Sequence, residues 1–312
     1  MDILISNWSG VQSLPETYIF PPERRPGNHK IPTSKDIPII DLETIDGPKR
    51  AQTIQQVIKA SQDFGLFQVI NHGVSRELMD ETMVLIYTST LNYENEEVHY
   101  WRDNITHRCH PLEDHINHWP NDPPNHRKVV AEYSIEVRKF LLTILELICD
   151  GMGLESRYFE GEISKNQLVS VNHHIPCPDP SLTIGMQAHC DPNLISMLQQ
   201  GDVCGLQALK DGQWVGVEPL RGAFVVIPGL QLRVISNGKL ASAVHRVVTD
   251  SKESRTTIGT FLIPSNDVLI RPADGLLGSS AMLYRGYTYK EFFGMFTGNN
   301  CEAERALECF KL

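Results

Sequence analysis

Two hydrophobic periods divide the chain near residue 166. Upstream, apolar residues recur at steps of three and four. Across 127–149, Val130, Tyr133, Val137, Phe140, Leu141, Ile144 and Ile148 form one stripe, which predicts a long amphipathic helix ending near Gly151. Shorter helices are predicted over 49–62, where Ile54, Val57, Ile58 and Ser61 share a face before Gly65, and over 76–87. A short strand is predicted over 37–42, with Pro38 placing it at an edge or a strand start. A second covers 67–70 and closes in the turn Asn71-His72-Gly73. Over 92–125 the pattern fails: Pro111, Pro120, Pro123 and Pro124 interrupt it, and a loop with short helical pieces is expected. Residues 1–36, rich in proline and turn formers, read as an arm on the surface.

Downstream the period changes. Short apolar runs at 168–173, 194–198, 205–209, 214–217, 223–227, 245–248 and 256–263 alternate with turns marked by Asp-Gly, Arg-Gly, Pro-Gly and Asn-Gly pairs. This is the signature of a β-sandwich or barrel, not of βαβ units, and the upstream helices can cover its outer sheet. Three regions follow: 1–150, helices and strands packed on the barrel; 166–268, the barrel core; and 269–312, a C-terminal segment expected to be helical. No internal repeat or low-complexity segment interrupts them.

With 312 residues and 41% hydrophobic composition the chain can bury a large core, and its net charge of -10 argues against a nucleic-acid or anionic-membrane partner. The N-terminus has no basic stretch followed by an apolar run, and no apolar segment is long enough to span a bilayer. Seven scattered cysteines without a CxxC pair fit reduced thiols in a cytoplasmic protein.

His189-Cys190-Asp191 puts two potential metal ligands two residues apart, on one face if the segment is extended. His245 heads another predicted strand 54 residues later. Two imidazoles and one carboxylate can bind Fe(II) on one face and leave three positions open, while a zinc site with water is the rival for the same residues. Cys190 should point to the opposite face and pack. His99, His107, His110, His115, His118 and His126 cluster in the proline-broken region without a zinc spacing and read as solvated or structural. Arg255 and Thr257, also two apart, can together receive a carboxylate, because a guanidinium offers paired charge-assisted bonds. A rim salt bridge is the alternative.

Several stretches resemble the plant soluble 2-oxoglutarate/Fe(II)-dependent dioxygenases: IPIIDL (37–42), QDFGLFQVINHG (62–73), CHPL (109–112), NHHIPCPDP (172–180), HCD (189–191), AVHRVVTD (243–250) and RTT (255–257). Within that family the chain is most similar to members that modify tropane alkaloids. The resemblance implies a mainly β fold, a double-stranded β-helix (jelly-roll) core with flanking α-helices of the isopenicillin N synthase type. It implies Fe(II) on His189, Asp191 and His245, and 2-oxoglutarate held by Arg255, Thr257, Asn172 and His174. Phe261 falls on the substrate side, and Arg246 is a family feature with no contact assigned. Ascorbate is the implied reductant, and the implied partners are O2 and a small-molecule substrate of a monomeric enzyme.

The expected reaction is hydroxylation or epoxidation of a plant specialised metabolite such as an alkaloid, with release of succinate and CO2. Desaturation or demethylation of a flavonoid, terpenoid or hormone stays open, as does a non-catalytic binding relic. His174 stands where the family has Tyr, Thr257 where it has Ser, and Ile227-Pro228-Gly229-Leu230 replaces an Asn-x-Gly-Asp stretch. The chain also passes from Tyr87 to Trp101 in 14 residues, where relatives carry a longer stretch that forms part of the active-site wall. Glu94, Glu96 and Glu97 lie in this shortened region, as a solvated acidic loop or as partners for a substrate amine.

Overall fold

A computed structural model describes residues 4–8, 10–27, 31–84, 98–277, 281–298 and 303–312. β1 (Ile39–Asp41) and β2 (Phe67–Ile70) run parallel, joined by the crossover helix α1 (Arg50–Asp63). α2 (Arg76–Val84) follows; the rest of the helix predicted over 76–87, and Glu94, Glu96 and Glu97, lie outside the described residues.

The expected loop over 92–125 is instead interrupted by an eight-residue strand, β3 (Asp103–His110). Alternation fails to reveal it because neither face is simply apolar. Asn104 and Thr106 lie across from Asn172 and Ser170 of the next strand, β4 (Asn166–His174), while Ile105 lies across from Val171 and His107 from Val169 in the helix-facing core. A strand lining a polar cavity therefore reads as polar on both faces.

α3 (His126–Met152) is the long helix, and it passes through Gly151 before a left-handed cap at Gly153. Gly151 is a packing contact and not a stop. A Cβ there would sit 2.4 Å from Ile58 Cγ1, so only glycine lets α1 and α3 approach this closely. The apolar stripe of α3 packs on the outer face of the large sheet, against Val169, Val226 and Ile258 among others.

The remaining strands are β5 (Met186–His189), β6 (Ile195–Gln200), β7 (Leu206–Lys210), β8 (Gln213–Gly216), β9 (Phe224–Pro228), β10 (His245–Val247) and β11 (Arg255–Ile263). A seven-stranded sheet, ordered β1-β2-β9-β6-β11-β4-β3, opposes a four-stranded sheet, β5-β10-β7-β8. Leu198, Val225 and Ile227 of the large sheet meet Leu206, Ala208 and Val247 of the small one between the layers. This is a jelly-roll core with helices on one side. Strands of the 1–150 region are thus members of the large sheet. α4 (Leu230–Ile235), a short helix the sequence pattern does not announce, follows β9 directly. Beyond residue 268 the chain is mixed: β12 (Leu269–Ile270) pairs with β13 (Tyr287–Thr288), around α5 (Asp274–Leu277), and α6 (Tyr289–Gly298) and α7 (Ala303–Glu308) follow.

The N-terminal arm is docked by specific bonds. The Ile5 and Ser6 amides donate to the Asp103 carboxylate, each at 2.9 Å, and Trp8, Tyr18 and Trp101 pack edge to face. No helix among the described residues is long and apolar enough to cross a membrane.

Candidate metal centre

β5 and β10 are antiparallel neighbours, and His189 lies directly across from His245. Cross-strand partners share a face, so both imidazoles project between the sheets, with ring centroids 4.3 Å apart. β5 ends at His189, and two residues further on Asp191 presents its carboxylate to the same two rings. Its Oδ1 lies 3.4 Å from His189 Nε2 and 3.8 Å from His245 Nε2. One ligand atom from each of the three residues falls within 4.8 Å of the others, and no other such group of three occurs among the described residues.

The outer contacts orient these atoms. His189 Nδ1 bonds the Gln187 carbonyl at 2.8 Å and His245 Nδ1 bonds the Ala243 carbonyl at 3.1 Å. A carbonyl only accepts, so each Nδ1 carries the proton and each Nε2 presents its lone pair to the centre. Burial pushes the Asp191 carboxyl up, but the His245 and His189 imidazoles and the Ser196 hydroxyl outweigh it and hold it at about 2. Burial, and then repulsion from His189, bring His245 down to about 4. The resting state near neutrality is a carboxylate beside a neutral imidazole, the protonation a divalent cation requires. Two nitrogens and one oxygen at this spacing fit ferrous iron with open positions. Cys190 turns away into the core, its thiol near the Ser242 carbonyl.

The loop carrying Asp191 is held from below. Asn193 Nδ2 donates to the Ile195 carbonyl at 2.7 Å and to Ser196 Oγ at 3.0 Å. Gly229, in the stretch that departs from the family pattern, presses on this loop, and a Cβ there would lie 2.0 Å from the Asn193 carbonyl oxygen.

Arg255 and Thr257 project from β11 toward the same interior, with His174 across from Arg255 and Asn172 across from Thr257. Arg255 is 3% exposed, and burial brings its guanidinium down to about 10. Nε donates to the Val203 carbonyl at 3.1 Å, Nη2 reaches Gln200 Oε1 at 3.4 Å, and Nη1 is buried with no partner among the described residues. A buried cation without an anion is costly, so the cavity calls for an anionic guest. Asn172 commits its side-chain oxygen to Arg102 at 2.9 Å and to Asn104 at 3.0 Å. His174 bonds the Arg255 carbonyl through Nδ1 at 3.3 Å, and its Nε2 is buried without a partner among the described residues. Burial, with Arg255 and Arg102 nearby, holds this imidazole well below its usual range.

Phe261 lies further along the same face of β11, half-buried. A Cβ at Gly259 would come within 2.9 Å of its ring, so glycine lets the ring lie along the strand. Arg246 faces the other way: it stacks on Trp214 at 4.1 Å and donates to Gln207 at 2.8 Å, a packing role on the outside of the small sheet. Of the histidine cluster, His107 and His126 are buried and bonded to each other at 2.9 Å between Nε2 atoms.

Sequence reasoning missed Gln200 and the glycines that make room for the site. A Cβ at Gly205 would lie 2.8 Å from Arg255 Cδ, and one at Gly185 would lie 2.6 Å from His174 Nε2. Nothing local marks these positions, because their neighbours arrive from other strands.

Comparison with known proteins adds independent findings. A model of the 2OG-Fe(II) oxygenase superfamily matches residues 165–264, and one for the N-terminal region of non-haem dioxygenases in morphine synthesis matches 37–87. Hyoscyamine 6-dioxygenase from Hyoscyamus niger is 39% identical, covering 100% of this chain and 99% of the relative. That alignment runs over 349 positions against the 312 residues of this chain, so it carries gap positions opposite this sequence. Flavanone 3-dioxygenase 2 from Oryza sativa subsp. japonica is 34% identical over 96% of this chain and 94% of its own length. Among solved structures, JOX2 in complex with 2OG, Fe and JA superposes with a TM-score of 0.83 at 28% identity, covering 99% of this chain and 98% of that one.

Proposed function

Because this chain belongs to the 2-oxoglutarate/Fe(II) oxygenase superfamily, we propose that it hydroxylates or epoxidises a small plant metabolite of the tropane-alkaloid type. The dioxygenase activity belongs to the family; the substrate is our reading, and the 39% identity to hyoscyamine 6-dioxygenase over the whole chain supports it. The observation that carries the site assignment is the Nε2–Oδ1–Nε2 cluster of His189, Asp191 and His245, with both Nδ1 protons spent on carbonyls.

In this reading the three side chains hold Fe(II) within a catalytic unit spanning 166–268. Arg255 and Thr257 take the distal carboxylate of 2-oxoglutarate, and Asn172 and His174 line the same pocket. When bound, iron and 2-oxoglutarate supply the oxygen-activating chemistry that couples formation of succinate and CO2 to substrate oxidation.

The protein's share is geometric and electrostatic. Asp191 stays ionised and His245 stays neutral, so a cation displaces no proton from either. Arg255, already buried, waits for an anion and loses little on receiving one. His174 can donate to a carboxylate only as the Nε2–H tautomer, which gives up its bond to the Arg255 carbonyl. The apolar layer between the sheets excludes water, and Phe261 offers an aromatic face to the substrate. No side chain serves as general base. Ascorbate keeps the metal reduced, and the enzyme works as a cytoplasmic monomer.

The test is succinate release by the purified full chain with Fe(II), ascorbate and 2-oxoglutarate, alone and with a metabolite panel. Slow uncoupled release, stimulated by a tropane amine such as hyoscyamine, is the expected result. Stimulation by flavonoids or acidic hormones alone would remove the alkaloid assignment, and iron binding with no release under any condition would remove the catalytic one.

A further inference from the structure

We propose that Gln200 belongs to the diacid pocket, where its amide nitrogen donates a hydrogen bond to the carboxylate that Arg255 binds. The inference rests on the cosubstrate reading above. Gln200 closes β6, and strand pairing sets it directly across from Thr257. Thr257 lies across from Asn172, and Arg255 across from His174. Cross-strand partners share a face, and residues two apart on a strand do too. Five polar side chains on three adjacent strands therefore project together into the barrel.

The orientation of the amide follows from its neighbour. Arg255 Nη2 is 3.4 Å from Gln200 Oε1. A guanidinium has donors only, so the oxygen of the amide must face it. Nε2 is then turned away from the guanidinium, and it is buried with no partner among the described residues. Arg255 Nη1 is in the same condition. The guanidinium cannot swing to cure this, because Nε is tied to the Val203 carbonyl at 3.1 Å and Gly205 lies against its Cδ.

Two linked side chains thus present two orphaned buried donors in one cavity. Such groups are costly unless an acceptor completes them. A carboxylate, with two oxygens, completes both. Gln200 also holds the guanidinium in place, so it acts as a positioning residue and as a direct contact to the distal end of the diacid. It has no part in the chemistry at the metal.

The experiment is calorimetric titration of the full chain loaded with Mn(II), which reads binding without turnover. Two ligands are compared: 2-oxoglutarate, and 2-oxobutyrate, which has the same keto-acid end and no distal carboxylate. Gln200→Met should weaken 2-oxoglutarate about 10-fold, the worth of a hydrogen bond to a charged group, and leave 2-oxobutyrate unchanged. Gln200→Glu should weaken 2-oxoglutarate about 100-fold or more, because its carboxylate takes the guanidinium for itself. The same variant should melt no lower than the wild type when ligand-free. It also carries the comparison should Gln200→Met not fold.

Wild-type affinity for 2-oxoglutarate in both variants would overturn the role of Gln200 and leave the cosubstrate reading standing. Equal weakening of both keto acids would mark a general disturbance of the barrel and overturn it as well. A wild-type protein that binds 2-oxobutyrate and 2-oxoglutarate equally would remove the diacid pocket, and this inference with it.

Discussion

His189 and His245 meet with ring centroids 4.3 Å apart, and His107 and His126 meet at 5.0 Å, yet the two pairs spend their nitrogens differently. In the first pair each Nδ1 is tied to a main-chain carbonyl, and both Nε2 lone pairs converge on Asp191. In the second pair the two Nε2 atoms bond each other at 2.9 Å, and no carboxylate among the described residues joins them in a group of three ligands. Proximity of imidazoles does not make a metal site. What makes one is an outer contact that fixes the tautomer, together with a carboxylate that supplies charge.

The comparison can be broken most severely at Asp191. Asp191→Ala should cost more than about 100-fold in metal affinity, since loss of outer-shell contacts alone costs 10–100-fold, and succinate release should vanish with it. Metal content after dialysis checks this. If Asp191→Ala retains its iron while His107→Phe loses it, the two pairs have been assigned the wrong way round.

Acid probes the second pair next. Burial, and then His126, bring His107 down to about 4 from an ordinary 6.5. The unfolded chain takes up this proton first. The stability concerned is therefore complete above pH 6.5 and drains away as pH falls toward 4, by about 3 kcal/mol in all. Urea denaturation of metal-free protein at pH 7 and pH 4.5 should show a loss at least this large, since His245 and His174 add to it, and His107→Phe should reduce it by the His107 share. An unchanged acid slope in that variant would place the sensitivity elsewhere.

The smallest effect sharpens the idea of an outer shell. Asn193 touches no ligand atom but ties down the loop on which Asp191 sits. Asn193→Ala should weaken metal binding about 10-fold, the low end for outer-shell changes, while the same substitution at Asn166, bonded to the Pro264 carbonyl at the far end of β4, should leave it unchanged.

The long helix and the alternating strands were legible because their apolar periods match their burial. The long helix ends at Met152, close to the predicted end near Gly151, but the capping glycine is Gly153, since a sequence cannot distinguish a glycine that ends a helix from one that admits a neighbour. β3 was invisible because its cavity face is polar. β5 carries His189 but is only four residues long, too short for its alternation to stand out. The assigned strand ends at His189, yet Asp191 still presents its carboxylate on the same side while Cys190 points away, as alternation along an extended segment predicts.

By itself, the sequence determined the ligand types, their order along the chain, and the alternation that makes a barrel, because residue chemistry and period are local properties. Only the tertiary structure decided which nitrogen of each histidine faces inward, that Gln200 shares a cavity with Arg255, and which glycines leave room for them. Those depend on strand register, where a shift of one residue turns every side chain to the other face.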